Sequence, residues 1–346
     1  MIRPVLYVDL PGIIYSMDSR ARSKEHEFAN FICWPEPIES RVPLLPLLRN
    51  IFPLSPASRT WICEDHWRIL GFAQVRERPS HTMWDLTYLA SMAQRNVPND
   101  DVVTALLEYI LEMASMHGIL RVFARVQDEI PELDLFHRIG FQGFARELTF
   151  VRMSGSIQTE NTLPSLRRWN RHHVWGLHQL YRAVTPHRVQ MAELLESSEE
   201  FAKLNVGSLT PLPGLLSHGT ENYISDLGVR LGGWLRIRRG TGSAPHQLAI
   251  MVHPEHAELA EPLLQFGLSR LANGPEHPVY CQVREYETGV ITALSNSGFE
   301  HTSTRVVLVR HMALLAVRPR TVPALEQRVV YGVKGLGTVN SRQTMR

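Results

Sequence analysis

Long apolar runs are missing from this chain. With no stretch of about 18 consecutive apolar residues, no membrane-spanning helix is expected. Cysteine is scarce as well. Cys33, Cys63 and Cys281 share no metal or redox spacing, and so sparse and odd a set fits free thiols in a reducing compartment rather than a disulfide framework. Charge of one sign is not in excess: 36 Lys and Arg stand against 34 Asp and Glu, for a net charge of +2. That balance offers no electrostatic footprint for nucleic acid and no argument for an acidic partner. The first residues lack the basic region, apolar stretch and small-residue cleavage site of a secretory leader. These absences lead to the expectation of a soluble cytoplasmic protein.

What the chain does have is an order of elements that occurs twice. The 346 residues, 44% of them hydrophobic, are enough for about two ordinary domains. Leu70-Gly71-Phe72-Ala73-Gln74-Val75-Arg76 in the first half answers to Gly232-Gly233-Trp234-Leu235-Arg236-Ile237-Arg238 in the second. Each is followed by a second strand-like run, an amphipathic helix, a strand, a short helix, a Gly-Phe pair and a last strand. Gly140-Phe141 and Arg152 lie 158 residues before Gly298-Phe299 and Arg310. A period this long indicates a duplicated domain, because solenoid repeats recur every ~20–50 residues.

In copy one the apolar patterns predict strands over 70–76 and 83–90, a helix over 104–117 ended by Gly118, a strand over 121–126, a short helix over 131–139 and a last strand over 147–152. Copy two predicts strands over 232–238 and 246–252, a helix over 258–271, a strand over 278–283, a short helix over 288–296 and a strand over 304–310. Its N-terminal part reads as helices over 174–183 and 189–204, then an irregular loop over 205–222 with Pro211 and Pro213. The polar stretch 154–165 reads as a linker between domains 1–153 and 166–313, and 314–346 as a tail.

This order, with Phe136-His137-Arg138-Ile139-Gly140-Phe141, Leu294-Ser295-Asn296-Ser297-Gly298-Phe299 and Val252-His253-Pro254-Glu255, resembles the GNAT superfamily of N-acetyltransferases. The resemblance covers both copies and rests on the duplicated order, since no single motif is specific. It implies an α/β (α+β) chain of two tandem acyl-CoA N-acyltransferase folds, each a mixed sheet splayed between its fourth and fifth strands and flanked by helices. Acetyl-CoA would lie in the splay, its pyrophosphate on N–H groups at the start of the next helix, where unpaired donors and a partial positive charge gather.

The cofactor positions that the resemblance marks in copy one are Ala93, Gln94, Arg95, Asn99, Asp100, Val102, Val103 and Thr104. Loop length is kept there, but the family's glycines are gone and Asp100 and Asp101 stand where the diphosphate should bind, a Coulomb cost. The bland reading is a capped helix whose acids favour its dipole. Copy two is about two residues shorter by alignment, lacks glycine and carries Glu255, Glu258 and Glu261. Where many family members place a Tyr acid, the copies have Phe136 and Leu294, which cannot donate a proton; His137 beside Phe136 reads as a solvent residue. For a general base the weak candidates are Asp85 and Tyr88 on the fourth strand. Three apart, they should point to opposite faces, so at most one reaches an acceptor. No metal site is expected: His172, His173 and His178 have no carboxylate at ligand spacing.

Two functions remain open at this point. One is acetyl transfer from acetyl-CoA to an unidentified small-molecule or protein amine, with copy one expected to be the active copy because its loop length is intact. The other is a non-catalytic GNAT-like binding or scaffold protein that has lost CoA. Oligomeric state is not legible.

Overall fold

The computed structural model describes residues 1–9, 11, 13, 29–33, 58–66, 68–78, 80–92, 99–153, 166–193, 220–240, 245–272 and 277–312. In the first half run β1 (Ile2–Pro4), β2 (Ala29–Cys33), β3 (Ser58–Asp65), β4 (Arg68–Glu77), β5 (Met83–Met92), α1 (Asn99–Met116), β6 (Arg121–Gln127), α2 (Glu132–Arg138) and β7 (Gln142–Arg152). In the second run β8 (Leu166–Arg168), α3 (Val174–Val184), α4 (His187–Glu193), β9 (Thr220–Asp226), β10 (Leu231–Arg238), β11 (His246–Val252), α5 (Ala260–Ala272), β12 (Val279–Arg284), α6 (Thr288–Asn296) and β13 (Glu300–His311). Short 3-10 turns occupy Arg171–His173 and Pro254–Leu259.

Helix α1 forms because Val102, Val103, Leu106, Leu107, Ile110 and Ala114 recur at helical spacing, and this stripe packs on Trp84, Leu86 and Leu89 of β5 and Val122, Ala124 and Val126 of β6. Helix α5 repeats the arrangement: Leu263, Leu264, Leu268 and Leu271 cover Leu235, Ile237, Leu248, Ile250 and Val252. Each fully buried Leu or Val contributes about 1.5–3 kcal/mol. The repeated glycine of the opening motif serves these contacts. A Cβ on Gly71 would sit 2.8 Å from Val102 Cγ1, and one on Gly233 would sit 2.5 Å from Leu263 Cδ1. The Gly-Phe pair ends a helix in both copies. Gly140 (φ 92°) and Gly298 (φ 77°) take the left-handed conformation, so that Phe141 N–H bonds to Phe136 O and Phe299 N–H to Leu294 O. Both phenylalanines then turn into their cores.

The copies share one sheet, ordered β1-β3-β4-β5-β6-β13-β7-β12-β11-β10-β9-β8, with β2 also on β5. Last strands are exchanged: copy two's β13 pairs with copy one's β6, and copy one's β7 with copy two's β12. In the middle β7 and β13 pair antiparallel with a twofold register. Glu300 lies opposite Val151 and Val309 opposite Gln142, and the two bulges fall at Phe144 and at Thr302, 158 residues apart. The pseudo-twofold passes through Glu147 and Arg305, which face each other and are themselves 158 apart.

Against the sequence reading, the last strands begin earlier, at Gln142 and Glu300, because their bulged first halves lack an alternating pattern. The stretch 205–222 is not loop throughout: Thr220 opens β9, which pairs antiparallel with β10 over Thr220–Asp226. The second helix of copy two is described over His187–Glu193; its extension to 204, the linker 154–165 and the tail 314–346 lie outside the described residues. Among the described residues no helix is long and apolar enough to cross a membrane.

Candidate functional site

Both copies have the splay. β5 and β6 run parallel and pair only over Met83–Asp85 with Arg121–Phe123, after which they part. β11 and β12 pair only over His246–Leu248 with Val279–Cys281.

In copy one the gap is taken by the chain itself. β2 pairs antiparallel with β5, Ala29 opposite Met92, Phe31 opposite Ala90 and Cys33 opposite Leu89. β4 holds the other edge of the same residues, with Ser91, Ala90 and Leu89 opposite Gly71, Phe72 and Ala73. β2 therefore lies on the side that β6 leaves, in the slot that the resemblance reserves for acetyl-CoA. Copy two has no such strand on β11 among the described residues.

Of the expected cofactor residues, Ala93, Gln94 and Arg95 lie outside the described residues. Helix α1 begins at Asn99, five residues before the expected start, so Asp100 and Asp101 belong to its first turn. Asp100 is exposed and 4.0 Å from Arg138. Val102 and Val103 are buried under the sheet and build the core rather than a ligand wall. Thr104 lines a groove of about 530 Å³ between α1 and α2, with Glu108, Leu111, Leu135, Arg138 and Ile139. In copy two the amides before α5 are used internally. Glu255 N–H donates to His253 Nδ1, His256 N–H to His253 O and Ala260 N–H to Ala257 O. Three glutamates stand among them. Among the described residues, copy one has β2 beside its splay and two acids in the first turn of α1, and copy two has three of the amides before α5 bonded within the chain.

Phe136 and Leu294 are fully buried and apolar, so neither copy has an acid at that position. The expectation that Asp85 and Tyr88 face opposite ways is wrong. A bulge at Thr87, where Gln74 pairs with Tyr88 and Val75 with Leu86, resets the alternation. Trp84, Leu86 and Leu89 face α1, so Asp85 and Tyr88 share the other face. Asp85 is nonetheless a poor base. Arg78 binds it with two hydrogen bonds, Nε to Oδ2 at 3.0 Å and Nη2 to Oδ1 at 2.7 Å, and lies over the Phe123 ring. Burial alone would raise the Asp85 carboxyl; Arg78, with Arg125 and Arg76 behind it, holds it below the ordinary value.

The same face carries a charged cluster that the sequence reading did not find. Glu147 on β7 is ringed by Arg305 of β13 (3.3 Å), Arg125 of β6 (3.5 Å) and Arg284 of β12 (3.8 Å). Burial works to raise the Glu147 carboxyl, and the three guanidinium groups overcome it and hold it low. Arg284 also reaches Glu193 at the end of α4 (3.2 Å), and Tyr181 of α3 donates to Glu193 (2.7 Å). Burial pushes the neighbouring Glu287 carboxyl up to about 7. The available signal was charge in the middle of apolar strands: Glu147 in Leu148-Thr149-Phe150 company, Arg305 before Val306-Val307-Leu308.

No protein-family model matches the chain, and no curated protein matches it at a significant level. Solved structures do. A tandem GNAT protein from the clavulanic acid biosynthesis pathway superposes with a TM-score of 0.56 at 14% identity, over 90% of this chain and 98% of that one. A GCN5-related N-acetyltransferase from Sphaerobacter thermophilus gives 0.55 at 10% identity, over 90% and 95%. A putative acetyltransferase from Pyrococcus horikoshii gives 0.53 at 11% identity, over 91% and 90%. These matches span both halves together, and with the duplicated order, the two splays and the helix-ending Gly-Phe pairs they show that this chain has the tandem GNAT fold.

Proposed function

We propose that this chain is a tandem GNAT-fold binding protein and not an acetyl-CoA-dependent N-acetyltransferase. The observation that carries the reading is β2 paired along β5 inside the splay of copy one. A strand there uses the edge N–H and C=O groups that a donor's amide chain would need. The consumed amides before α5 support the same reading for copy two, as do the buried Phe136 and Leu294 and the arginine-bound Asp85. Fold alone does not carry activity.

The second reading, acetyl transfer by copy one from acetyl-CoA to an amine, has one observation in its favour. The groove between α1 and α2 borders the first turns of α1 and holds the Arg138 guanidinium. The two readings separate in an assay of CoA thiol release, run with millimolar acetyl-CoA and a panel of polyamines, amino acids, aminoglycosides and peptide N-termini. No release above the protein-free rate is expected. Amine-dependent release that Arg138→Glu abolishes would reinstate the acetyltransferase reading.

A further inference from the structure

Three polar atoms on one face of the β7–β12 pair are buried without a hydrogen-bond partner among the described residues: Thr149 Oγ1, Gln282 Nε2 and Arg284 Nη1. They form one patch. Gln282 lies directly opposite Thr149, and Arg284 opposite Glu147, two residues further along the same strands; two residues of strand span about 7 Å. All point to the face opposite α5, because Val279, Cys281 and Val283, which alternate with them, pack in the α5 core. Buried polar groups in folded proteins are almost always paired, and an orphaned group calls for a water or a ligand.

The character of the missing partner follows from the atoms. An arginine Nη and an amide Nε2 are donors only, and a threonine hydroxyl can donate, so the partner must accept. Its charge follows from the surroundings. Three guanidinium groups, Arg125, Arg284 and Arg305, face two carboxylates, Glu147 and Glu193. With the neighbouring Glu287 carboxyl kept protonated by burial below about pH 7, one positive charge is left over, and Arg78 and Asp85 nearby pair with each other. A dianion would exceed that surplus; a single carboxylate matches it, with two oxygens suited to a guanidinium and further donors. Gln282 and Arg284 stand on the part of β12 that β11 has already left, since pairing ends at Cys281.

We infer that the face of β7 and β12 at the mouth of copy two's splay binds the carboxylate of a small organic acid, through Arg284, Gln282 and Thr149. This rests on the binding-protein reading and gives it a ligand class. The strand exchange is what assembles the site, since Thr149 comes from copy one and the other two residues from copy two.

The test uses the full chain, with acetate, succinate, L-glutamate and inorganic phosphate titrated separately at constant ionic strength, by calorimetry and thermal shift. At least one carboxylate should saturate one site per chain and raise Tm. Thr149→Val and Gln282→Leu should each weaken it by about tenfold, the value of one hydrogen bond of this kind, without lowering the Tm of the ligand-free protein, because each removes an unpaired polar group. No saturation by any carboxylate at millimolar concentration would mean that water holds these atoms, and would overturn the proposal. So would preference for phosphate, or binding that both variants leave unchanged. Acetyl-CoA titrated into the same samples separates the two readings: its saturation overturns the binding-protein reading whatever the carboxylates do, and its failure beside silent carboxylates overturns only the ligand class.

Discussion

Gly298 holds φ at 77° with nothing within 4 Å of where a Cβ would stand. Gly298→Ala therefore isolates backbone strain and should cost about 1 kcal/mol, read from the shift in denaturant midpoint. Glu147 is a different kind of residue, a carboxylate among three guanidinium groups at the pseudo-twofold. Glu147→Gln keeps the shape, removes the charge and should destabilise by about 3–5 kcal/mol, since unpaired charge is left buried. Loss under about 1 kcal/mol would mean that solvent already screens the cluster. Glu287 sets a pH dependence. Its folded carboxyl titrates near 7 against an ordinary 4.5 because of burial, so the folded state holds its proton more strongly than the unfolded one. The stability from that proton is fully present below pH 4.5 and declines as pH rises toward 7. Glu287→Gln should remove this decline in a stability-against-pH series; an unchanged slope would assign it elsewhere. At this scale the sequence was legible where a residue's role is local. Gly140 and Gly298 announced helix ends, and Phe136 and Leu294 announced missing acids. Glu147 with its arginines was not legible, because its partners arrive from three other strands.

Elements were legible in proportion to how regular their patterns are. The strand over 246–252 and the helix over 288–296 fall where the apolar pattern placed them. The bulge at Thr87 was invisible, and it reversed the argument about Asp85 and Tyr88, because a face assignment by counting holds only while alternation is unbroken. β2 was also unread, although it decides the fate of copy one's slot. Its pairing can be checked at the element scale. In an antiparallel ladder only alternate N–H groups point at a given neighbour, so Asn30→Pro with Phe31→Pro removes a donor whichever of the two faces β5. Hydrogen exchange should then speed up in the peptide over 89–92, with the peptide over 249–252 unchanged. Equal protection in variant and parent would show that β2 does not cover this edge.

On the scale of the molecule, the exchanged strands make the two copies one sheet. The duplication and the 158-residue offset are legible in the sequence, whereas the merging of the copies into one sheet is not, since nothing in an apolar strand says which neighbour it will take. The twofold register of β7 on β13 carries a consequence for a fragment ending at residue 153. It would lack β13 and leave β7 and the edge of β6 bare, and should pair with a second copy of itself through β7. A dimer or aggregate by light scattering is expected, and a stable monomer would contradict the exchange. The proposed loss of the acetyl-CoA site in both copies is decided by calorimetric titration of the full chain with acetyl-CoA. Absence of saturable heat up to millimolar ligand is the predicted result; micromolar binding at one site per chain would contradict the account and return β2 to the role of a strand that the cofactor displaces.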